Sequence, residues 1–141
     1  MSYTSDEEVE AISRALLART LPKAEWTHSA HFAAAVWMLA RHGEAALRET
    51  RAAIFAYNEA TGTPNTDTSG YHETITAASL AMAKAYRRDH PGAPMVEQVN
   101  GLLAGPCGRS DWVFAYWSRE RLFTVEARRG WVPPDLQPLP A

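Results

Sequence analysis

Three of the five histidines in this 141-residue chain fall where helices are expected to begin. Two open one segment as Thr27-His28-Ser29-Ala30-His31, and a third opens another as Tyr71-His72-Glu73-Thr74. The positive end of a helix macrodipole disfavours an imidazolium in the first turn, so a histidine there is held neutral, the form that binds a metal or accepts a proton. The i, i+3 spacing of His28 and His31 puts both rings on one helical face. His28, His31 and His72 with a carboxylate nearby make a ligand set for a divalent transition metal: zinc, iron, nickel or copper. Glu73, beside His72, and Asp111, at a later helix start, are the carboxylates expected as a fourth ligand or as the general base acting on bound water.

Each of these residues also has a structural reading. His28 can be an exposed first-turn residue, and His31 and His72 can be core histidines satisfied by a carbonyl or by a hydroxyl such as Thr76 or Ser79. With Gly70 as N-cap, Glu73 stands at N3 and reaches back to the cap amide. His42 and His90 sit at helix C-termini beside Gly43 and Pro91, where an imidazole caps the last carbonyls. Cys107, in the turn Gly105-Pro106-Cys107-Gly108-Arg109, is either a plain loop cysteine or a thiol activated by the neighbouring arginine and helix start. Tyr116 and Arg119 share a helical face with Trp112 and Phe123, so they are expected to orient an anionic small-molecule substrate, or Arg119 packs there as a snorkelling cation.

Helices must position these groups. Ser5-Asp6-Glu7-Glu8 reads as a capping box opening a first helix to about Arg19, with Val9, Ile12, Leu16 and Leu17 on one stripe. Thr27 caps a second helix that stops at His42-Gly43, and the all-round apolar stretch from Phe32 to Ala40 makes it central and buried. A third runs from Glu44 to Ala60, a fourth from Tyr71 to Asp89, a fifth from Pro94 to Leu103, and Ser110 or Asp111 caps a sixth with a heavy aromatic load. Pro133, Pro134, Pro138 and Pro140 make residues 131–141 an extended tail on a helical domain of residues 1–130, packed through Trp131 and Leu136 or hanging free. The expected architecture is therefore an all-α, single-domain bundle of five to six helices. Short loops make consecutive helices antiparallel, so the second, fourth and sixth run parallel with their starts at one end.

The order His31, then His72-Glu73, then Asp111 resembles the H…HD…D ligand pattern of the HD-domain metallophosphohydrolases, with Glu73 in the place of that family's aspartate. The resemblance rests on those four residues and implies an all-helical, metal-dependent phosphohydrolase. Composition narrows the partners. With 14 Lys and Arg against 16 Asp and Glu, a net charge of −2 and no basic run interleaved with aromatics, the electrostatic footprint of a nucleic-acid binder is missing. A single cysteine and the lack of a long apolar segment point to a cytoplasmic protein with no membrane partner. Two functional classes follow: a metal-dependent enzyme or small-molecule binder with its site at one end of the bundle, or a metal-free binding or protein-interaction module, including a homodimer, whose histidines are structural.

Overall fold

In the computed structural model of the chain, residues 3–140 are described, and three of the five long helices begin at a side chain that caps them: Ser5, Thr27 and His72. Ser5 Oγ accepts from the Glu8 amide at 3.2 Å to open α1 (Asp6–Ala18), while Glu8 Oε1 accepts from the Thr4 amide at 2.8 Å. The expected capping box is thus present but reaches one residue further out. Arg19 closes α1 in the left-handed conformation, at φ 63°. Val9 and Leu16 on its stripe are fully buried, whereas Leu17, expected beside them, faces solvent.

α2 (His28–His42) is capped by Thr27, whose Oγ1 accepts from the Ala30 amide at 3.2 Å, and it stops at Gly43. Phe32 through Met38 are all buried on it, because α1, α3 (Ala46–Ala60), α4 (Glu73–Asp89) and α5 (Met95–Ala104) pack around it. Tyr57, fully buried on α3, donates to the Leu21 carbonyl at 2.8 Å and so satisfies its hydroxyl while tying α3 to the end of α1. Gly101 lets α5 approach α4 closely: a Cβ there would coincide with the Tyr86 hydroxyl.

The expected sixth helix does not form as one piece. Residues 112–115 make a single 3-10 turn, followed by α6 (Arg119–Leu122) and α7 (Val125–Arg129). The reason is capping: Ser118 Oγ accepts from the Arg121 amide at 3.2 Å and Thr124 Oγ1 from the Ala127 amide at 3.0 Å, so each hydroxyl starts a new helix. Trp112, Val113 and Trp117 still reach the core from these short elements.

Residues 131–140 lie against the short elements: Trp131 packs edge-on to Trp117 with ring centroids 5.6 Å apart and the Leu136 amide donates to the Tyr116 carbonyl at 2.9 Å, while the two side chains stay 47% and 56% exposed. Val132 is buried, the Trp117 indole N–H donates to its carbonyl at 3.0 Å, and Asp135 accepts from the amide and hydroxyl of Ser118 at 2.8 and 2.6 Å. No helix among the described residues is long and apolar enough to cross a membrane.

Candidate functional site: the cleft at the starts of α2 and α4

The loop between α3 and α4 sets the geometry of this end. Asn65 Oδ1 accepts from the Tyr71 amide and from Asn58 Nδ2, each at 3.0 Å, folding residues 62–71 back on α3. Gly70, at φ 80°, passes so close that a Cβ would lie 2.4 Å from the Pro64 carbonyl oxygen; only glycine fits there. The chain then enters α4 two residues later than a Gly70 cap predicts, because His72 is itself the N-cap.

His72 is fully committed to that role. Its Nδ1 accepts from the Ile75 amide at 3.2 Å and its Nε2–H donates to the Leu122 carbonyl at 2.9 Å. Burial pushes the imidazole pKa down, keeping the ring neutral. No lone pair remains for a metal. His28 donates from Nε2 to the Cys107 carbonyl at 2.7 Å, and His31 donates from Nδ1 to the Thr27 carbonyl at 2.7 Å, so each keeps one acceptor nitrogen. Trp26, which the sequence reading passed over, stacks on His31 with ring centroids 3.8 Å apart. Its position just before the Thr27 cap was the available signal.

α2 and α4 do bring their starts together, as parallel packing requires. His31 and His72 line one cavity of about 310 Å³ with Trp26, Ile54, Asn58 and Tyr71. His28 and His31 line a second, of about 320 Å³, with Ile75, Ser79 and Trp112. His31 and Ile75 belong to both, so the two form one cleft with His31 on the dividing wall.

The expected carboxylates are elsewhere. Glu73 stands at the first position of α4, not N3, and Arg51 grips it in a two-pronged ion pair at 3.0 and 2.5 Å while the Tyr71 hydroxyl donates to it at 2.6 Å. Burial pushes the Glu73 pKa up, but the Arg51 and Tyr71 hydrogen bonds and the Arg51 charge outweigh it and hold the carboxyl below its ordinary value. A base so held is a poor proton acceptor. Asp111 is on the surface, bonded to Arg109 at 3.1 Å, and lines neither cavity. Among the described residues no group of three His, Cys, Asp or Glu side chains is placed to hold a metal ion, and with His72 spent on backbone groups the donor set does not fit the expected three-histidine centre.

The remaining candidates also separate. Arg119 lies over the Phe114 ring at 4.2 Å and Tyr116 packs edge-on to Trp112, but the helix break removes the shared face that was to join them, and neither lines the cleft. Cys107 is buried, and desolvation raises its thiol to about 11, the opposite of an activated thiolate. His90 does cap, donating from Nδ1 to the Tyr86 carbonyl at 2.9 Å. What the sequence reading missed is the tie between the C-terminal segment and α4: Thr74 Oγ1 lies 2.7 and 2.8 Å from the Ala127 and Gly130 carbonyls and 3.2 Å from the Val132 amide. Comparison of the chain with protein-family models, with curated proteins and with solved structures yields no match.

Proposed function

We propose that this chain is a metal-free small-molecule-binding protein whose ligand occupies the cleft between the starts of α2 and α4. The observation that carries the reading is His31: its Nδ1 is fixed on the Thr27 carbonyl and its ring stacked on Trp26, which leaves Nε2 as an unpaired acceptor on the wall between two cavities. A ring held in one tautomer at a helix start stays neutral, so it selects a ligand with a hydroxyl or N–H donor. Trp26, Ile75 and Trp112 supply apolar surface for the rest of that ligand. The test is a ligand-observed NMR screen of small heteroaromatic alcohols and amides, with elemental analysis of the same untagged protein. Hits abolished by His31→Ala and retained by His42→Ala, with no stoichiometric metal, are expected. Near-stoichiometric zinc, iron, nickel or copper lost in His31→Ala, or hits indifferent to His31, would overturn the reading in favour of a metal site or of binding elsewhere.

A second reading, self-association through the C-terminal elements, is favoured by Phe123, Val125, Trp131 and Leu136, each exposed by 43% or more. Sedimentation velocity over a wide concentration range is then expected to show a dimer that Phe123→Ser weakens; a monomer throughout removes this reading.

A further inference from the structure

A separate cavity, of about 250 Å³, opens between α3, the 62–71 loop and α7, and three arginines line it: Arg51, Arg128 and Arg129. Their charges are not equally matched. Arg51 is held by Glu73, and Arg129 pairs with Asp67 on the surface at 2.6 Å, with both side chains half exposed or more. Arg128 is half-buried on α7, and its Nη1 donates to the Gly70 and Tyr71 carbonyls at 3.0 and 3.3 Å. Those carbonyls satisfy donors and fix the guanidinium, but they do not neutralise it, and among the described residues Arg128 has no carboxylate partner. A fixed, partly desolvated guanidinium with open N–H groups binds a planar or tetrahedral oxyanion better than a mobile surface cation does. Phe55 and Tyr71, rings 5.0 Å apart, form the apolar wall of the same cavity, and Thr66 adds a hydroxyl at its rim.

We infer that this cavity is a binding site for a small organic oxyanion, a carboxylate or phosphate monoester carried on a ring or short apolar body. The anion sits against Arg128, displaces Asp67 from Arg129 to gain a second cation, and lays its apolar part on Phe55. Displacement is inexpensive, since an ion pair this exposed contributes little to stability. The site is independent of the cleft at His31, although Tyr71 borders both.

The experiment is calorimetric titration of the full chain with phenyl phosphate, benzoate, inorganic phosphate and, as neutral and cationic controls, benzyl alcohol and benzylamine. One or both aromatic anions are expected to bind at least about tenfold more tightly than either control, with affinity falling as salt is added. The two anions distinguish phosphate from carboxylate, and inorganic phosphate reports how much the ring contributes. Arg128→Gln is expected to weaken anion binding about tenfold or more, and Arg129→Gln and Phe55→Ala severalfold, with His31→Ala neutral. Because Arg128 also holds the loop, the exposed Arg129 and Phe55 variants keep the test decisive if Arg128→Gln does not fold. Equal affinity for anion and control, no binding by either anion, or binding lost in His31→Ala but unchanged in Arg129→Gln and Phe55→Ala would overturn the inference.

Discussion

Arg51→Met is expected to destabilise the protein by about 2 to 3 kcal/mol near neutral pH and to reverse the pH dependence that Glu73 contributes. The Glu73 side chain is 9% exposed, and Arg51 supplies two of its three hydrogen bonds, the third coming from Tyr71. Breaking a fully buried pair costs about 3 to 5 kcal/mol because the surviving charge is left desolvated. That figure is reduced here because the Arg51 side chain is 43% exposed and solvent already screens it. Methionine retains most of the apolar stem, so the change isolates the charge.

The sign of the pH effect follows from the two proton affinities. In the parent protein the Glu73 pKa lies below its unfolded value, so its contribution is complete above that value, about 4.3, and is lost as pH falls through the lower folded pKa. Without Arg51, burial dominates and the folded carboxyl rises above the unfolded one. The folded variant then binds the proton more tightly, and its stability declines as pH rises through the raised folded value. Urea denaturation of both proteins between pH 4.5 and 7 should therefore show a deficit that widens with pH. A deficit that stays constant across that range would mean that Glu73 is not the carboxylate Arg51 neutralises.

This pair marks where the sequence stops being legible. Ser5, Thr27, Gly43 and Pro94 bound the long helices as their chemistry predicts, and the unbroken apolar run on α2 identified the central helix because nothing polar interrupts Phe32 to Leu39. That α2 and α4 share an end followed from loop lengths. The histidine roles were not legible at a finer level: the choice between ligand and cap depends on which backbone groups lie within hydrogen-bond reach, and of the two that hold His72, the Ile75 amide is local but the Leu122 carbonyl comes from fifty residues away. Arg51 and Glu73 are 22 residues apart on different helices, so no local spacing could pair them. Arg128 was one cation among 14 Lys and Arg, and only the fold sets it beside Gly70 and Tyr71. In the C-terminal half the apolar spacing was compatible with a helix, but Ser118 and Thr124 compete for the backbone and restart it.

Trp117→Ala is expected to be the most damaging single substitution, at about 3 to 5 kcal/mol. Trp117 has no exposed surface, its indole N–H donates to the Val132 carbonyl, and Trp131 packs edge-on to it with centroids 5.6 Å apart. Truncation removes that packing, leaves a cavity among the short C-terminal elements, and strands a buried carbonyl. Trp117→Phe separates these terms, since it keeps most of the ring volume and loses the hydrogen bond; about 1 to 3 kcal/mol is expected for it. The consequence reaches the candidate sites because the C-terminal segment buttresses the start of α4. Leu122 accepts from His72, Thr74 meets Ala127, Gly130 and Val132, and α7 carries Arg128. Release of residues 131–140 should loosen α7 before α1 to α5, whose packing on α2 does not depend on the tail. Limited proteolysis of Trp117→Ala is thus expected to cut first after position 118, with hydrogen exchange at the α4 start rising while the α2 amides stay protected. If α2 and the tail lose protection together, the C-terminal elements belong to the same cooperative unit as the bundle, and the tail is a structural part of the core and not a brace for the α4 start.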